Sequence, residues 1–104
     1  MNIFKKFKAY LRFREAMRQA DKAYAETNQR HYVLPSPDGM LIIMNRKNFR
    51  GLRRKGYINE QAGVLGLENG CLYCTPYGNG KRGMNEQTQK ERFERYLRIL
   101  EDIK

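Results

Sequence analysis

Apolar residues recur along this chain with two different periods, and each change of period marks a new element. From residue 3 to about 27, Ile3, Phe7, Tyr10, Leu11, Met17, Ala20 and Tyr24 return mostly at three- and four-residue steps. That is the spacing of one helical face. No Gly or Pro interrupts the stretch, and Asn28 is the expected end. Phe4 and Phe13 widen the apolar stripe beyond what one packing surface needs. Internal packing is the expected use of that stripe.

The pattern then shortens. His31-Tyr32-Val33-Leu34 reads as a strand, Pro35-Ser36-Pro37-Asp38-Gly39 as a turn, and Met40-Leu41-Ile42-Ile43-Met44 as the returning strand. Proline fixes φ in such a turn and glycine supplies the positive φ that turns often need. Asn45 or Asn48 is expected to cap a short helix that ends at Gly56, where a left-handed residue is wanted. Phe49 and Leu52, three apart, share one face of it. Gly51 costs that helix about 1 kcal/mol relative to alanine.

Residues 59 to 70 lose all periodicity at Gly63, Gly66 and Gly70. Cys71 to Thr75 reads as a third strand ended by Pro76, and 78 to 83 as a mobile loop. Residues 85 to 103 form a last helix capped by Asn85, with Phe93, Tyr96, Leu97, Leu100 and Ile103 as its buried stripe. The expected architecture is α+β. It has a long N-terminal helix, a small antiparallel sheet (32 to 34, 40 to 44 and 71 to 75), a short basic helix and a C-terminal amphipathic helix. At 104 residues there is room for a single domain, 1–104, with one core.

Charge changes the picture more than composition does. The net charge is +10. Residues 1 to 56 hold 14 Lys/Arg against 4 Asp/Glu, whereas residues 57 to 104 hold 7 of each. The whole excess therefore lies in the first half. Within it, Arg46, Lys47, Arg50, Arg53, Arg54 and Lys55 form an acid-free run on the short helix. Such a field attracts phosphate polymers, anionic lipid or an acidic protein.

Enzyme chemistry finds little support. His31 is the sole histidine and Ser36 the sole serine, and Ser36 sits in a proline-rich turn. A surface role is expected for His31. Gly78, Gly80 and Gly83 spell G-x-G-x-x-G, but a βαβ unit needs a second parallel strand after the helix and none is read here, so dinucleotide binding is not expected. Free backbone N–H groups beside Lys81 and Arg82 could still hold an anion. Cys71-x-x-Cys74 supplies two of the four ligands that a structural zinc needs. Residues three apart on a strand also point to opposite faces. One thiol is therefore expected to be buried and the other less so, with neither metal nor cofactor.

The expected function is that of a small, basic, non-enzymatic nucleic-acid-binding accessory protein. Arg46, Lys47, Arg50, Arg53, Arg54, Lys55, Lys81 and Arg82 are its expected contacts. Tyr32, Tyr57, Tyr73 and Tyr77 stand nearby to stack on bases. DNA and RNA fit equally. The alternative is a protein-interaction module that meets an acidic partner or forms a homodimer through the apolar excess of the first helix. Phe4, Phe7, Tyr10 and Leu11 among Lys5, Lys6, Lys8 and Arg12 would also suit an anionic membrane surface. The longest apolar run is five residues, far short of a membrane span, and no secretory signal is recognisable at the N-terminus. A cytoplasmic protein with reduced thiols is expected.

Leu52-Arg53-Arg54-Lys55-Gly56-Tyr57-Ile58, followed by Cys71-Leu72-Tyr73-Cys74-Thr75-Pro76 and a closing amphipathic helix, resembles the end of a winged-helix DNA-binding domain. That resemblance implies a recognition helix, a wing and a closing helix that can dimerise. The RKNFR and KGYI stretches with a Tyr-x-Thr-Pro strand are also similar to small basic proteins of gut-type bacteria, a likeness that implies no activity.

Overall fold

The structure is a computed structural model, and it describes residues 2–36, 38–45, 47–48, 51, 70–75 and 84–102. Helix α1 spans Ile3–Thr27. Its start is fixed by Asn2, whose side chain accepts a 2.9 Å hydrogen bond from Lys5 N and so satisfies an otherwise orphaned donor. Its end is fixed by Asn28 at φ 55°, whose N–H donates to Tyr24 O at 2.7 Å. Asparagine is one of the few residues other than glycine that tolerates this left-handed position.

Among the described residues three strands follow: β1 (Tyr32–Pro35), β2 (Leu41–Met44) and β3 (Tyr73–Cys74). They form an antiparallel sheet in the order β2-β1-β3. The β1–β2 register pairs Tyr32 with Met44 and Pro35 with Leu41, and β3 pairs Tyr32 with Cys74. The connecting turn matches the sequence expectation. Gly39 has φ 87°, its N–H donates to Ser36 O at 3.0 Å, and Ser36 N donates to Met40 O at 2.8 Å. Helix α2 spans Glu86–Asp102 and is capped by Asn85, whose Oδ1 accepts from Thr88 N at 2.8 Å. The chain is thus α+β: a long N-terminal helix, a three-stranded antiparallel sheet and a C-terminal helix.

Alternation along β1 divides the core between the two faces of the sheet. Val33 and Tyr73 pack against Ala16 and Ala20 of α1, with Leu41 and Ile43 beside them. Tyr32, Leu34, Met44 and Cys74 pack together with Cys71, and Met84 joins from the approach to α2. Both helices meet over Leu72. Phe13 of α1 lies 5.6 Å from Phe93 and 6.0 Å from Tyr96, measured between ring centroids. Such pairs contribute about 0.5–1.5 kcal/mol each beyond the area they bury.

Three expectations need correction. Tyr32 and Tyr73, expected to stack on bases, are buried at 0% and 7% exposure. The buried face of α1 is Ala9, Phe13, Ala16 and Ala20, with Met17 half-buried. It is not the stripe through Ile3, Phe7, Tyr10 and Leu11, which is exposed. Alanines let the helix backbone come close to the sheet, so small residues rather than bulky ones make the contact. His31 is buried at 8% exposure rather than on the surface, with Nδ1 2.7 Å from Gln29 O.

The C-terminal stripe is as expected at Phe93, Tyr96, Leu97 and Leu100; Ile103 lies outside the described residues.

Candidate functional site

Of the expected contacts, Lys47 is described and exposed. Arg46, Arg50, Arg53, Arg54, Lys55, Lys81 and Arg82 lie outside the described residues, as does the glycine-patterned loop. The start of the basic segment is nevertheless defined. Lys47 and Asn48 are helical, Asn48 N donates to Asn45 Oδ1 at 3.1 Å, and Asn45 N donates to Asn48 Oδ1 at 3.2 Å. The two asparagines cap reciprocally, in the manner of a capping box.

The described surface places a second group of cations elsewhere. Lys5, Lys6, Lys8, Arg12 and Arg14 are all exposed on the first half of α1, and no acid precedes Glu15. The first turn of α1 contains no acidic residue, so nothing offsets its positive dipole end. Among the described residues, Glu15 is the first acid to pair on this helix. Arg18 donates to it from Nε at 2.9 Å and again from Nη2. Those bonds, and a further one from Gln19, hold the Glu15 carboxyl down at about 2. Arg12 is drawn toward the Tyr96 hydroxyl, which it hydrogen-bonds. Lys5, Lys6 and Lys8 are left facing solvent.

Aromatic and aliphatic groups stand among these lysines. Ile3 and Phe4 are each 77% exposed and Phe7 is 60% exposed, with Tyr10 and Leu11 also on the outside. Steps of three and four residues join Phe4, Phe7 and Leu11 into one stripe. α1 thus has a core-facing stripe and, over its first three turns, a second apolar stripe that the domain does not cover. Ile3, Phe7, Tyr10 and Phe93 border a shallow depression together with Lys6. A neighbouring groove runs between α1 and β2, lined by Leu11, Ala16, Met40, Leu41 and Ile43. On sequence alone the nucleic-acid contact falls to the run at 46–55, and Lys5, Lys6 and Lys8 are set against an anionic membrane surface instead.

The cysteines also differ from expectation. Cys71 and Cys74 are both buried, at 0% and 5% exposure, in one cluster, and their thiols hydrogen-bond to each other. Only Tyr73–Cys74 is strand, so the strict alternation that would have separated the thiols does not apply at Cys71. Arg30 reaches the same place. Its Nη2 donates to Cys74 Sγ at 3.2 Å, its Nε to Thr75 O at 2.9 Å, and its guanidinium carbon lies 5.6 Å from the centre of the Tyr32 ring. Among the described residues, no group of three or more His, Cys, Asp or Glu side chains is arranged to hold a metal ion. Ser36, Asp38 and His31 do not assemble into a triad: the Ser36 hydroxyl donates to Asp38, and His31 Nδ1 is engaged with Gln29 O.

No helix among the described residues is long and apolar enough to cross a membrane. Comparison with protein-family models, curated proteins and solved structures finds no match to this chain.

Proposed function

We propose that this chain is a non-enzymatic nucleic-acid-binding accessory protein, working in the cytoplasm, with the first half of α1 as part of its contact surface. One observation carries the reading: Lys5, Lys6 and Lys8 are interspersed with exposed Phe4 and Phe7 around the first turns of a helix that has no acid before Glu15. Lysines neutralise phosphates and release condensed counterions. Exposed aromatic rings offer stacking platforms, each of which contributes about 1–3 kcal/mol per base. Bases in a duplex are already stacked, so this combination favours unpaired strands. Lys47, together with Arg46, Arg50, Arg53, Arg54, Lys55, Lys81 and Arg82, adds to the net positive charge that draws a polyanion to the chain.

The test is a fluorescence anisotropy titration with labelled single-stranded and duplex oligonucleotides at several salt concentrations. The proposal requires binding that weakens linearly in log-log salt and that is tighter for single strands. Salt-independent or undetectable binding at low ionic strength would overturn it.

A second reading is favoured by the aliphatic part of the same stripe. Ile3 and Leu11 cannot stack on bases as rings do, yet they are 77% and 48% exposed. A protein-interaction role, as a homodimer or with an acidic partner, would cover them. Sedimentation equilibrium separates the two readings, because a dimer forms without nucleic acid and persists in high salt.

A further inference from the structure

The Cys71–Cys74 pair has no part in the nucleic-acid reading. Both thiols are buried on the sheet face opposite α1, in the cluster of Tyr32, Leu34 and Met44. They lie in hydrogen-bonding contact with each other. Arg30 is held beside Cys74 by a backbone bond to Thr75 O and by the Tyr32 ring, so its guanidinium is fixed where it can favour the sulfur anion. The Tyr32 hydroxyl, buried in that cluster, has no hydrogen-bond partner among the described residues. A thiol placed only for packing needs neither a second thiol in contact nor a clamped cation.

We propose that Cys71 and Cys74 are an oxidant-modification site that takes a small peroxide and closes to an intramolecular disulfide, with Cys74 as the attacking sulfur and Cys71 as the resolving one.

The roles follow from the surroundings. Cys74 carries the Arg30 contact and is the one with residual exposure, 5% against 0% for Cys71. Cys71 is held protonated, first by its hydrogen bond to Cys74 and then by burial and the Cys74 charge. In the first step the Cys74 thiolate attacks one peroxide oxygen. An S–O bond forms, the O–O bond breaks, and hydroxide leaves, to be protonated to water. In the second step the Cys71 sulfur attacks the Cys74 sulfenic acid. An S–S bond forms, the S–O bond breaks, and the Cys71 proton leaves with the hydroxyl as a second water. Two thiols and one peroxide thus give one disulfide and two waters. Hydrogen peroxide is small enough for a site this enclosed, where a bulky disulfide is not.

The experiment uses the full reduced chain and hydrogen peroxide. Intact mass should fall by two hydrogens, and peptide mapping should recover a Cys71–Cys74 disulfide. Cys71→Ser should stop at a Cys74 sulfenic acid that dimedone traps, whereas Cys74→Ser should give no dimedone adduct. Arg30→Gln should slow oxidation about tenfold and move the midpoint of the rate–pH profile upward. Arg30→Lys should restore part of the rate. The mapping of the parent protein stands even if a serine variant fails to fold. Two intact thiols after peroxide treatment, disulfides only between molecules, or an unchanged rate and pH profile in Arg30→Gln would each overturn the proposal.

Discussion

The Tyr73 hydroxyl donates a 2.7 Å hydrogen bond to Asp21 Oδ1, across 52 positions of sequence. It ties the last strand to the outer half of α1. Tyr73 is 7% exposed, and burial, followed by this bond, pushes its hydroxyl above the ordinary tyrosine range.

Tyr73→Phe removes that bond and leaves Asp21 to water. The expected cost is about 1.5 kcal/mol, the range for a hydrogen bond to a charged acceptor. It should appear as a lowered midpoint in urea with an unchanged m-value. A raised folded-state value on an acid that is neutral when protonated also sets a sign. Its stabilising contribution is complete below the unfolded tyrosine value of about 10 and is lost as pH rises beyond it toward the folded-state value. The parent should therefore lose stability above about pH 10 more steeply than Tyr73→Phe does. Parallel alkaline curves for the two proteins would refute this assignment.

The two stripes of α1 should separate by mutation. Phe13 is 2% exposed and packs on Phe93 and Tyr96. Phe13→Ala should cost about 3–5 kcal/mol. Phe4→Ala should fall within about ±0.5 kcal/mol. Thermal melts of both variants check the contrast, and comparable losses would mean that Phe4 is covered in solution.

This contrast also shows how far the sequence was legible. The bounds of α1, its Asn28 end, the hairpin around Gly39 and the Asn85 cap all follow from local chemistry, and the sequence carries local chemistry directly. The face of α1 does not. Two stripes compete there, and hydropathy favours the bulky Ile3–Phe7–Leu11 stripe over Ala9–Ala16–Ala20. The contact is decided by how closely the backbone can approach the sheet, a tertiary quantity. The convergence of Cys71 and Cys74 was hidden for a similar reason. It depends on where β3 begins, and a shift of two residues reverses the conclusion. Of the candidate site, the excess of charge in the first half was plain, but which apolar side chains of α1 stay exposed among the lysines was not.

Glu15 provides a check on the electrostatics. Its carboxyl is held at about 2 by the Arg18 bonds first and by Gln19 second. A depressed folded-state value contributes above the ordinary glutamate value, and the contribution is lost as pH falls through about 2. A carboxyl-detected NMR titration at low salt should find a midpoint well below the ordinary glutamate range, and Arg18→Gln should return it to that range. Both groups are exposed, so added salt should weaken the effect. A midpoint near the ordinary value at low salt would show that the pair does not persist in solution.

The most direct measurement is the salt dependence of single-strand binding for the parent and for a variant carrying Lys5→Gln, Lys6→Gln and Lys8→Gln. These side chains are exposed and make no contact that the fold requires, so the variant should melt close to the parent. Affinity should fall at every salt concentration. The log-log slope should become shallower by about 2 units, at about 0.7 per phosphate contact on a single strand. Equal slopes and equal affinities for the two proteins would contradict the account, because α1 would then lie outside the contact surface.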